Sequence, residues 1–140
     1  MNHHSVWHFL KATDRFAPKG ATAVQIDVDP KVESALNDAP VLRSGWAIVQ
    51  NINDLATAIA KASAGLAQGM QPDGVIVLIS MPDVAYAHIS VAKLMTAVHP
   101  AFTLPGAPAN CCFGVQTDSG PQEEFRAVVL VYGQPLQPLQ

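Results

Sequence analysis

The chain reads as an α/β protein, a four-stranded mixed sheet with helices packed on it. Three observations predict this. "GVIVLIS" (74–80) is continuously apolar and rich in β-branched residues, the pattern of a central strand buried on both faces. Leu55, Ile59, Ala62 and Leu66 recur at helical spacing just before it. "NCCFGVQT" (110–117) and "EEFRAVVLVYG" (123–133) are two further extended runs, separated by the turn sequence "DSGP" (118–121), and they read together as a hairpin. A strand–helix–strand–helix unit followed by a hairpin builds a mixed sheet with helices layered on it, with right-handed crossovers assumed.

The elements follow in order. Residues 3–16, with Val6, Trp7, Phe9, Leu10 and Phe16, form an N-terminal helix, which "APKG" (17–20) breaks. Residues 22–28 are a short extended run. Asp29-Pro30 is a helix start, a capping aspartate followed by proline at the first helical position, and Pro40 ends that helix. "SGWAIVQ" (44–50) is a strand. Asn51 or Asn53 caps a long helix over 54–68, and Gly69 fits its end. After the central strand, Pro82-Asp83 opens a helix to about Val98, with His99 where the helix dipole favours positive charge. "FTLPGAPA" (102–109) is a loop. "QPLQPLQ" (134–140) is a Pro/Gln tail expected to be disordered, so one domain spans 1–133, its core 22–133.

At 140 residues the length fits one domain. Apolar residues make up 49% and charged residues only 14%, against about 25% in an ordinary domain. A surface this short of charge fits one partly covered by a partner. Net charge is −3, without the basic stripe that a nucleic-acid footprint needs. No apolar run approaches the ~20 residues that cross a bilayer. The N-terminus lacks the basic-then-apolar order of a signal peptide, so the cytoplasm is the expected location. Adjacent Cys111 and Cys112 cannot staple distant segments; in a strand they point to opposite faces, and a reduced pair is expected.

Candidate chemistry is sparse. His4 and His8 stand four apart beside His3, a spacing that binds zinc on a helix face, but no cysteine or carboxylate completes the set, and no metal or other cofactor is expected. Ser80 is placed at the end of the central strand, yet nothing marks it as an activated nucleophile. There is no glycine-rich phosphate cradle. In "ATAVQIDVDPKVESAL" (21–36), Asp27 and Asp29 admit two readings: Asp29 a helix cap with Asp27 a solvated loop residue, or a carboxylate pair that polarises a water.

The order of these pieces resembles the C-terminal domain of the FtsZ/tubulin superfamily. Ile79-Ser80-Met81-Pro82-Asp83, Phe113-Gly114, Asp118 and Gly133 follow one another as an apolar strand ending in Gly-Gly-Pro-Asp, a strand ending in Phe-Gly, an acidic turn and a final strand do in FtsZ. "VLRSGWAIVQ" (41–50) is similar to that domain's first strand, and "QIDVDPKVESAL" to the loop Ile-Asn-Val-Asp-Phe-Ala-Asp-Val and its helix. The resemblance implies that Asp27, Asp29 and Lys31 face a partner, since the FtsZ loop enters the nucleotide site of the next subunit. It also implies no GTP hydrolysis by this chain: the second aspartate has no match, the turn lacks its glycines, and the GTPase domain has no counterpart here.

A weaker resemblance is to the RidA/YjgF imine deaminases, which share a helix, strand, helix and hairpin. "HPAFTLPGAPANCCFGV" is similar to their Pro-Ala-Arg segment, but Asn110 stands where the substrate-binding arginine belongs, and the bidentate grip on a carboxylate is lost. Both families have related chorismate-mutase-like topologies. The expectation is therefore a non-enzymatic interaction module like a stand-alone FtsZ C-terminal domain. It would be an oligomer, its partner an FtsZ-like protein or itself, with no nucleic acid and no membrane. The alternative is a small oligomeric enzyme or ligand-binding protein of the RidA type.

Overall fold

The computed structural model describes Ser34 and residues 38–106, 108–118 and 124–136, the side chains of 116–118 excepted. The helix expected at 3–16, the extended run at 22–28 and the tail beyond 136 lie outside the described residues. Of the helix expected after Pro30, Ser34 and Asp38 are described, and both are helical.

The remaining elements are β1 (Val41–Val49), a 3-10 turn (Ile52–Asp54), α1 (Leu55–Ser63), β2 (Met70–Pro82), α2 (Asp83–Tyr86), α3 (Val91–Phe102), β3 (Asn110–Asp118) and β4 (Phe125–Pro135). They form one four-stranded mixed sheet in the order β1-β4-β2-β3. β4 runs antiparallel to both β1 and β2, while β2 and β3 are parallel.

The expected hairpin is therefore corrected. β3 and β4 are not neighbours: the last strand crosses over β2 and inserts between β2 and β1. The physical reason lies in β4's composition. Phe125, Ala127, Val128, Val129, Leu130, Val131 and Tyr132 are all buried, and such a run is stable only with strands on both sides and both faces covered. β3, with its polar ends, takes the edge.

The two faces of the sheet bury separate apolar clusters. Val75, Val77, Ile79 and Met81 of β2, with Ala127, Val129 and Val131 of β4, meet Leu55 and Ile59 of α1 and Leu94, Ala97, Val98 and Ala101 of α3. Ile76 and Leu78, with Val128, Leu130 and Tyr132, lie on the opposite face beside Leu42, Trp46 and Cys112. Each fully buried Leu or Ile contributes about 1.5–3 kcal/mol, so the alternating sides of β2 and β4 dominate the stability. α1 lies so close to β1 that a Cβ on Gly45 would come within 2.1 Å of the Ala62 carbonyl oxygen. Only glycine permits that approach.

Element ends differ from expectation in instructive ways. α1 stops at Ser63, not 68, because Gly65 adopts a φ of +78°, a conformation that ends a helix and suits glycine. Arg43 of β1 donates to the carbonyls of Leu66 (3.0 Å) and Gln68 in the turn that follows. Asn51, one of the two expected caps, accepts from the Asn53 backbone N–H at 2.9 Å. The single helix expected from Asp83 to Val98 is two: Ser90 Oγ accepts from the Lys93 N–H at 3.1 Å and starts α3 afresh. α3 then runs through Pro100 to Phe102, with His99 in its last turn. β4 continues to Pro135, two residues past the boundary expected at 133.

Candidate interaction surface

The residues that the resemblance places against a partner, Asp27, Asp29 and Lys31, lie outside the described residues, as do His3, His4 and His8. The surface that the structure does describe is built from the β2 end of the sheet. Pro82 closes β2 and leads into α2 without a side-chain cap, and Ser90 then opens α3. α3 turns Leu94, Ala97, Val98 and Ala101 inward. Phe102 packs against the same core, but Val91 and Met95 lie outside it and face out. Val91 is 70% exposed and Met95 47%, one turn apart; on α2, Val84 is 74% and Tyr86 51% exposed. These four large apolar side chains sit on two consecutive short helices.

Sequence reasoning did not single these four out. The signal was present: Val84, Val91 and Met95 are spaced seven and four apart, a second apolar stripe beside the one the core consumes. Lys93 Nζ holds Asn53 Oδ1 at 2.6 Å, which ties the start of α3 to the 3-10 turn before α1.

The positions weighed for catalysis offer little chemistry. Ser80 is buried within β2, in register with Arg126 of β4 and Gln116 of β3; the strand runs on to Pro82, so Ser80 does not stand at a strand end as expected. Cys111 and Cys112 are free thiols, Cys111 exposed and donating to the Pro108 carbonyl at 3.6 Å, Cys112 half-buried. Burial raises both thiols above their ordinary pKa, and at Cys112 the neighbouring Cys111 adds to it. That is the opposite of an activated nucleophile. Asn110 is exposed, its side-chain amide 3.5 Å from the Asp73 carbonyl. Arg126 pairs with Glu124 through Nε at 2.6 Å. Among the described residues no three His, Cys, Asp or Glu side chains gather as metal ligands would, and no helix is long and apolar enough to cross a membrane.

Tyr132 is fully buried close to Asn110, and among the described residues neither its hydroxyl nor the Trp46 indole N–H on the same face has a hydrogen-bond partner. Burial, reinforced by Cys112 and Asp73, raises the phenol's pKa, and Asn110 lies close enough to oppose the shift. The hydroxyl therefore stays protonated and is no proton carrier near neutrality.

The fold belongs to a known class. Four-stranded mixed sheets with this arrangement of helices occur in FtsZ/tubulin-like proteins, and the chain is consistent with an FtsZ C-terminal-like fold. The empty FtsZ dimer of M. jannaschii matches with a TM-score of 0.57 at 15% identity, over 79% of this chain and 32% of that one. TubZ of Bacillus thuringiensis serovar israelensis, in GDP-form protofilaments, matches with 0.58 at 14% identity, over 84% and 32%. The GDP-bound CetZ1 monomer of Haloferax volcanii matches with 0.52 at 16% identity, over 76% and 33%. The chain thus spans about a third of the length of these structures. No family model matches it, and no curated protein matches it in sequence.

Proposed function

We propose that this chain is a non-enzymatic interaction module that docks on a filament of FtsZ-like subunits, capping or modulating it, and that it also assembles with itself. The observation that carries this reading is the fold, which it shares with subunits seen as an FtsZ dimer and as TubZ protofilaments. The loop bearing Asp27, Asp29 and Lys31 supplies a charged contact to the next subunit. The exposed apolar residues Val84, Tyr86, Val91 and Met95 supply desolvated contact area. A module of this kind acts by occupying a subunit face, with chemistry left to the subunit it meets.

The test is co-sedimentation with FtsZ polymerising in GTP. The chain is expected to pellet with the polymer, or to reduce the polymer mass when present in small proportion. A chain that stays in the supernatant at every ratio and leaves polymer mass unchanged would overturn filament docking.

A further inference from the structure

Among the described residues the sheet ends on β3, and no strand pairs with its outer edge. Stepping outward from β2 to β3 along the register, Ile76, Val77 and Ile79 give way to Cys112, Phe113 and Val115. The first three are at most 1% exposed; the second three are only partly buried, with Phe113 and Val115 against the helix-side core and Cys112 against the other. Both faces of the strand thus stop short of full burial. Along its outer side, alternate residues direct N–H and C=O groups away from β2.

Within its own residues β3 carries few of the devices by which edge strands avoid pairing. It is nine residues long, has no proline and no bulge against β2, and carries no charge from Asn110 to Thr117. The opposite edge, β1, carries the charged Arg43.

We infer that β3 pairs antiparallel with β3 of a second copy of this chain, about a two-fold axis at Gly114, to give a continuous eight-stranded sheet. Its own sequence is the complementary one. With Gly114 opposite Gly114, each Phe113 falls opposite Val115 of the second copy on the helix side, an aromatic–β-branched pair of the kind that stabilises sheets. The single charge, Asp118, falls opposite Asn110, so no like charges meet. The two facing Gly114 residues at the axis, one from each copy, leave room for close backbone approach. The inference gives a surface to the self-assembly part of the proposed function and does not depend on filament docking.

The experiment uses the full chain without FtsZ. Light scattering after size exclusion, over about two decades of protein concentration, should show a monomer giving way to a dimer. Amide hydrogen exchange within Asn110–Asp118 should slow as the dimer fills, with other strands unchanged. Gly114→Lys places two like charges face to face; it should abolish both the dimer and the concentration-dependent protection. A chain that stays monomeric overturns the inference, as does β3 exchange that is the same at both ends of the range, or a folded Gly114→Lys variant that still dimerises through protected β3 amides. Should Gly114→Lys fail to fold, exchange in the unaltered chain decides alone. Loss of self-pairing with retained co-sedimentation would remove this surface and leave filament docking standing; the reverse result would do the opposite.

Discussion

Tyr132 shows what a single residue contributes to this fold and what it does not. Its ring is buried in one sheet face at 0% exposure, while its hydroxyl is buried with no hydrogen-bond partner among the described residues. An unsatisfied buried polar group is a penalty of about 1–3 kcal/mol, whereas the ring's burial stabilises. Tyr132→Phe keeps the ring and removes the orphan. The variant should be as stable as the parent or more stable, by up to about 1 kcal/mol in urea unfolding at neutral pH. A loss of more than that would mean the hydroxyl has a partner, with Asn110 the first candidate given its position beside the phenol.

Elements are positioned here by local signals of unequal strength. Ser90 is a strong one: its hydroxyl accepts from Lys93 N–H and defines where α3 begins. Ser90→Ala should cost about 1 kcal/mol, read as a lower melting temperature, with α3 amides exchanging faster at its first turn. The same signal was in the sequence, yet the helical pattern from Asp83 to Val98 runs across it without a break, so the two helices read as one. β2 was legible because a continuous β-branched run has one stable home, the centre of a sheet. β4 carried the same signal in "AVVLVY", but the turn residues of "DSGP" suggested a hairpin with β3. Turn chemistry is local, and strand order is decided by which strand most needs two neighbours. The outward stripe of Val84, Val91 and Met95 was hidden for a related reason: apolar residues at helical spacing read as core until the core is counted as full. Asp27, Asp29 and Lys31 remain what the sequence and its resemblance suggest, since they fall outside the described residues.

At the scale of the whole molecule, the question is whether the acidic loop is a contact or only a helix start. The fold likeness to filament-forming subunits makes a contact the proposed role, and two substitutions separate the readings. Asp27→Ala removes a charge from the loop; if that residue faces a partner, co-sedimentation should weaken while stability changes by less than about 0.5 kcal/mol. If Asp29 caps a helix that starts at Pro30, as the sequence suggests, Asp29→Ala should lower stability by about 1 kcal/mol, with any loss of binding following from the frayed helix start. Measuring melting temperature and co-sedimentation on both variants gives four values, and their pattern decides. If Asp27→Ala leaves binding intact while Asp29→Ala only lowers the melting temperature, the pair is structural, and filament docking must then rest on the apolar surface of α2 and α3.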